Sequence, residues 1–321
     1  MKKLFLMLAA AAAVASCSKD YTIVADQGEA IEFGSFVENS TRAAADPSLN
    51  ATNFTEFNVW GTVGGVPIYT GNKVTGKVGN PTGGADYIWT CASVKQYWIE
   101  GAVYKFAALR NEGTVTLDEN DLPSKVTFDA TAADVDLLYA KNYGTNDNGI
   151  IGQTSGNNNP VNFDFEHLLS KVKFTVKNNS TTAVGYSFNV TNIDVKGSKT
   201  GTVVLSDRTW EAKGDPTAVY EVTEIAVNQG ATGVECAKEL LLIPGEFKVS
   251  FDVQILCNGT VVATHNSAVN TVTFAGGNSY NLVITVAVGE EIKFSVTEQP
   301  EWNYDVNGDD VVNDNDNIKL Q

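Results

Sequence analysis

Two histidines, His167 and His265, are all the imidazole that this chain of 321 residues offers, and neither stands at a spacing that acid–base or metal chemistry uses. No nucleophile elbow, zinc-ligand pair or phosphate-cradling glycine loop accompanies them. His167 precedes an alternating apolar run and reads as a structural histidine at a sheet edge. Asp134 and Asp136 flank Leu137-Leu138-Tyr139 and would share one face of a strand, as residues of any solvated edge do. Nothing selects them, or another pair, as the two carboxylates of a glycoside hydrolase. The chain is therefore expected not to be an enzyme and to carry no cofactor. One constellation does have metal-ligand spacing. Asp305, Asn307, Asp309, Asn313 and Asp316 take positions 1, 3, 5, 9 and 12 of a twelve-residue loop, the pattern by which calcium loops present oxygens. Asp310 stands at position 6, where the sharp turn wants glycine, so a solvated acidic tail over 303–321 is preferred and calcium is the alternative.

Chemistry done to the chain is written more plainly than chemistry done by it. Lys2 and Lys3 precede an apolar run, Leu4 to Val14, that is too short to remain as a bilayer span. The run ends in Val14-Ala15-Ser16-Cys17, which resembles the bacterial lipobox, with residues 1–16 as signal peptide and the Cys17 thiol as the site of acylation. Further on, Ser40-Thr41-Arg42-Ala43-Ala44-Ala45 places one arginine among small and polar residues, the kind of segment that proteases nick. A cut after Arg42 would make Ala43 the new N-terminus and 17–42 a propeptide. Within that propeptide, Ile31, Phe33 and Val37 can share one face of a strand, with Ser35 as a gap. Burying three such side chains is worth roughly 5 kcal/mol by area. Removing the strand would expose that apolar slot and an unpaired edge, which drives another strand to enter. The alternative is a permanent first strand, with Arg42 in a surface loop.

The elements that would position these features are strands. Val172, Phe174 and Val176 alternate with lysine and threonine, and Phe247, Val249, Phe251, Val253 and Ile255 alternate with polar residues. Both predict strands wet on one face. Turn formers such as Gly64-Gly65, Asn258-Gly259 and Gly276-Gly277-Asn278 separate these and similar runs, and only Glu166 to Ser170 hints at a helical turn. The fold class is all-β, a sandwich or a pair of them. The Gly- and Asn-rich stretch Asn142 to Asn159 places a boundary between domains at 43–158 and 159–302. A net charge of −16 repels phosphate and excludes nucleic acid as a partner. Beyond Cys17 stand Cys91, Cys236 and Cys257, an odd number that cannot all pair; Cys236 and Cys257 either bridge or serve as small buried hydrophobes.

Taken in order along the chain, these residues resemble a known family. Cys17, Thr41-Arg42-Ala43, Asp136-Leu137-Leu138-Tyr139-Ala140, the stretch Phe163 to Phe174 and the late Val296 to Trp302 are together similar to a fimbrillin, the type V pilus subunit precursor of Bacteroidales. The resemblance implies two tandem transthyretin-like β-sandwich domains after a lipoprotein signal peptide and propeptide. It further implies removal of the signal peptide by lipoprotein signal peptidase, cleavage after Arg42 by an arginine-specific surface protease, and assembly by strand donation between subunits at the outer membrane. The expected function is a structural subunit or tip adhesin of a fimbria, with a host or bacterial surface receptor as a further partner. Ile318 and Leu320 are the candidate donor strand, a short one that would suit a subunit at the tip. Two alternatives stay open: a lipid-retaining pilus anchor, and an acylated glycan-binding lipoprotein that would use Trp60, Trp89, Tyr97, Trp98 or Trp210 as sugar platforms.

Overall fold

The alternation in the sequence becomes sheet throughout the computed structural model, which describes residues 28–34, 55–79, 87–132, 135–143, 148–154, 156–180, 185–211, 213–228, 233–235 and 239–299. In the first half the strands are β1 (Phe33–Gly34), β2 (Phe57–Val63), β3 (Val66–Val74), β4 (Gly76–Gly79), β5 (Tyr87–Thr90) and β6 (Val103–Arg110). There follow β7 (Thr114–Leu117), β8 (Pro123–Asp129), β9 (Leu138–Lys141), β10 (Ile150–Ile151), β11 (Val161–Asn162) and β12 (Glu166–His167). The second half opens with β13 (Ser170–Asn178), β14 (Tyr186–Lys196), β15 (Thr200–Val204), β16 (Thr209–Glu211), β17 (Val219–Val222) and β18 (Ile225–Val227). It closes with β19 (Val234–Glu235), β20 (Leu240–Leu242), β21 (Gly245–Cys257), β22 (Thr260–Asn266), β23 (Asn270–Phe274), β24 (Ser279–Val286) and β25 (Lys293–Gln299). The expected helical turn at Glu166 to Ser170 is instead extended, because Glu166 and His167 pair with Tyr139 and Leu138.

Period two sets which residues go inside. In β21, Phe247, Val249, Phe251 and Val253 are buried while Glu246 and Lys248 face water. In β13, Val172, Phe174 and Val176 are buried as expected, but the opposite face is not wet along its length. Lys171 is covered and reaches Glu239 at 3.5 Å, and Thr175 donates to Asn281 at 2.8 Å. Gly64 and Gly65 join β2 to β3, and Asn258 and Gly259 join β21 to β22. All four residues have positive φ, the geometry of a tight hairpin turn whose twist matches the flanking strands.

Two pairs of sheets enclose two cores. In the first half, sheet β11-β1-β5-β4 faces sheet β12-β9-β6-β2-β3, around Phe33, Phe57, Phe106 and Phe163. In the second, sheet β19-β13-β24-β25 faces sheet β17-β14-β21-β22, around Phe174, Phe188, Phe247 and Phe251. Val161, Phe163 and Phe165, past the 158/159 boundary suggested by composition, contribute to the first core.

A fifth sheet, β16-β15-β8-β7, takes one hairpin from each half. Its central pair, β8 with β15, runs from Lys125↔Val204 to Asp129↔Thr200. Beneath it lies a third core that combines Trp60, Leu109, Val126 and Phe128 with Leu168, Val203, Leu205 and Ile243. Strand β6 accordingly has apolar residues on both faces: Tyr104, Phe106 and Ala108 in the first core, Ala107 and Leu109 in the third.

Candidate functional site

Residues 28–34 thread between elements that come from distant parts of the chain. Strand β1 is an inner strand of its sheet, antiparallel to β5 (Phe33↔Trp89, Gly34↔Ile88) and parallel to β11 (Phe33↔Val161, Gly34↔Asn162). Ahead of it, Ile31 N donates to Gln96 O at 2.9 Å, Trp98 N donates to Glu29 O at 2.9 Å, and Val161 N donates to Glu32 O at 2.8 Å. The segment thus satisfies backbone groups on both flanks, and its departure would leave two unpaired edges facing one slot.

The slot is lined with aromatic rings. Phe33 is fully buried, its ring edge-on to Phe57 at 6.1 Å, Tyr69 at 5.7 Å and Phe106 at 6.1 Å, and stacked with Phe163 at 5.8 Å. Burial pushes the Tyr69 hydroxyl, at the wall of this cage, well above its ordinary range. Ile31 sits in the same core at 4% exposure, so Ile31 and Phe33 do share the inward face. At Gly34 a Cβ would stand 1.8 Å from Asn162 Oδ1, so the chain passes Asn162 closely where a side chain is missing.

At the outer end of the segment, Glu29 ties it to the loop before β11. One carboxylate oxygen, Oε2, accepts from Gly156 N at 2.9 Å, Asn158 N at 3.2 Å and Asn158 Nδ2 at 2.9 Å. The Asn158 side-chain amide above all holds the Glu29 carboxyl below its ordinary value, against the opposing effect of desolvation and helped by the two backbone amides. The 153–158 loop also has bonds of its own: Gln153 N donates to Asn158 Oδ1 at 2.7 Å, Asn158 Nδ2 to Gln153 O at 3.2 Å, and Asn157 N to Thr154 O at 3.0 Å.

Cys17, Arg42, Ala43, Val37, Ile318 and Leu320 lie outside the described residues, as do Asp305, Asn307, Asp309, Asn313 and Asp316 of the calcium pattern, together with Asp134 and Cys236. Cys91 and Cys257 carry free thiols. Of the sugar-platform candidates, Trp60, Trp89 and Trp98 are buried, and Trp210 packs on the third core while donating to Leu168 O at 3.0 Å. Asp136 corrects the solvated-edge expectation. It is buried, and its Oδ2 meets His167 Nδ1 at 2.5 Å. The pair joins β12 to the residues just before β9, where Leu168 N also donates to Leu137 O at 3.0 Å. His167 does stand on an edge strand, but it is covered there. Among the described residues, no group of three or more His, Cys, Asp or Glu could hold a metal ion, and no helix is long and apolar enough to cross a membrane.

Sequence reasoning did not find β11 and the Glu29 anchor. Val161, Phe163 and Phe165 alternate with Asn162, Asp164 and Glu166, a strand signal that could have marked the wall of the slot. The anchor had no such signal, because its donors are largely backbone groups.

One of the following solved structures shares this fold at a TM-score above 0.5, and the other two are less similar. A fimbrial protein from Bacteroides vulgatus ATCC 8482 is 16% identical, with 84% of this chain and 99% of that one covered at a TM-score of 0.54. A protein ascribed to cell adhesion from Bacteroides uniformis ATCC 8492 is 16% identical, with coverage of 86% and 98% and a TM-score of 0.48. The tip fimbrial protein Mfa3 from Porphyromonas gingivalis, truncated at its C-terminus, is 12% identical, with coverage of 84% and 99% and a TM-score of 0.38. No curated protein sequence matches the chain. The model of the fimbrillin-like family matches residues 41–300, from beside the candidate cleavage site to the end of β25. The chain belongs to the fimbrillin-like family.

Proposed function

We propose that this chain is a structural subunit or tip adhesin of a surface fimbria, made as a precursor whose leader strand keeps the assembly slot filled until cleavage. Membership of the fimbrillin-like family supports the coarse role, a fimbrial protein that associates with other subunits at the cell surface. In the finer scheme, Cys17 is acylated, lipoprotein signal peptidase removes residues 1–16, and the precursor reaches the outer membrane. An arginine-specific protease then cuts after Arg42, and a strand from another subunit replaces the segment that carries Ile31, Phe33 and Val37. The two halves would be tandem transthyretin-like domains, meeting near 158/159.

The observation that carries this proposal is the position of residues 28–34. They fill the inside of a sheet and the centre of an aromatic cage, yet precede Arg42 in sequence. Cutting there turns an intramolecular contact into an intermolecular one, which must then meet the cost of lost translational and rotational freedom, about 4–15 kcal/mol. A buried Phe and Ile contribute only about 1.5–3 kcal/mol each by area. The leader thus becomes exchangeable on cleavage, whereas an uncut leader does not.

Replacing Arg42 tests this. Arg42→Ala is expected to accumulate as a folded, lipidated precursor that enters no fibres, read by immunoblot of sheared surface fibres against membrane fractions. Incorporation at the wild-type level would refute cleavage as the switch.

A further inference from the structure

The Glu29 anchor has a consequence for the strand that replaces the leader. When residues 28–34 leave, Gly156 N, Asn158 N and Asn158 Nδ2 lose a shared acceptor. The loop retains three hydrogen bonds that do not involve Glu29, from Gln153 N, Asn157 N and Asn158 Nδ2. Three converging N–H donors make a preformed seat for one carboxylate oxygen, and charge-assisted hydrogen bonds of this kind are stronger than neutral ones. The seat lies a fixed distance from the aromatic cage. Glu29, Ile31 and Phe33 are alternate residues of one extended segment, so an occupant must place an acid, a branched aliphatic and a large apolar residue at i, i+2 and i+4.

The chain carries that spacing elsewhere. Acid-x-Ile-x-large apolar occurs in Glu29-Ala30-Ile31-Glu32-Phe33, in Glu290-Glu291-Ile292-Lys293-Phe294 and in Asp316-Asn317-Ile318-Lys319-Leu320. The second copy is already used: Phe294 is buried in the second core, and β25 is paired with β24. The third follows β25 in sequence and lies outside the described residues.

We infer that the 153–158 loop is a carboxylate seat that selects and registers the incoming strand, and that segment Asp316–Gln321 of a second copy of this chain fits it, with Asp316 in place of Glu29, Ile318 in place of Ile31 and Leu320 in place of Phe33. This rests on the strand exchange proposed above. The acid compensates for a short apolar run, since two apolar residues alone fix a register weakly. Gln321 takes the place of Gly34, where the obstructing atom is the Asn162 side-chain oxygen rather than backbone, so the amide turns aside to admit it. A chain with both the slot and a fitting strand can donate and accept, which suits a repeating subunit rather than the tip position that the short donor strand suggests.

Purified full chain treated with an arginine-specific protease tests the seat, with the rate of formation of SDS-resistant oligomers as the readout. Asp316→Asn is expected to slow the ladder about tenfold, the scale of one charge-assisted hydrogen-bond set. Asp314→Asn, one strand step off register, and Asp316→Glu, which keeps the charge, are expected to match wild type. Equal rates for wild type and Asp316→Asn would overturn the seat while leaving strand exchange intact. A wild-type protein that is cut but forms no ladder would overturn strand exchange itself, and this inference with it.

Discussion

Phe33 anchors residues 28–34 in the first core. It is fully buried among four rings contributed by β2, β3, β6 and the segment after β11, so truncating it empties a cage that no single neighbour can close. Phe33→Ala is predicted to destabilise the uncut protein by about 3–5 kcal/mol, the usual cost of a buried Phe→Ala change. If cleavage after Arg42 removes the segment, as proposed, the same substitution does nothing to assembled subunits, because the residue is no longer there. Thermal melts of the two forms would separate these outcomes, and equal destabilisation in both would mean that the leader stays in place after assembly. The buried Asp136–His167 pair is a different kind of residue-level feature. It stitches β12 to the residues before β9, and it could not be found in sequence because its members are thirty-one positions apart and each alone resembles a surface residue.

Among elements, legibility followed the simplicity of the environment. β21 is buried on one face over most of its length, so period two announced it, and Phe247, Val249, Phe251 and Val253 are buried while Ile255 is half-buried. β6 lies between two cores, and its Val-Tyr-Lys-Phe-Ala-Ala-Leu-Arg sequence loses alternation where both faces are covered, as strands buried on both sides do. β1, β11 and β12 have two paired residues each, and the alternation that runs through Val161, Phe163 and Phe165 marks a strand without marking its partner, although all three build the slot and its flank. The slot was thus legible from Ile31 and Phe33 on the leader side, while its walls were not. The β8–β15 pairing was hidden for another reason: it joins residues 71 to 79 positions apart, and nothing local marks a long-range partner. That pairing carries a prediction of its own. Phe128, on β8, packs into the core shared by both halves, so Phe128→Ala should split one calorimetric unfolding transition into two. Two transitions already present in the wild type would show that the shared sheet does not couple the halves.

At the scale of the molecule, three cores and a sheet built from both halves join the chain into a body in which the proposed acceptor slot sits at one place in the first half. Such a body suits a subunit that passes load along a fibre, because tension on one half reaches the other through β8 and β15 as well as through the covalent link. A net charge of −16 disfavours non-specific association by self-repulsion, which suits the strand-specific joining proposed above. Everything then depends on whether the leader is removed. The N-terminus of the protein recovered from fibres sheared off the cell surface decides it: the account predicts Ala43, and recovery of an acylated Cys17 from the same fibres would contradict it.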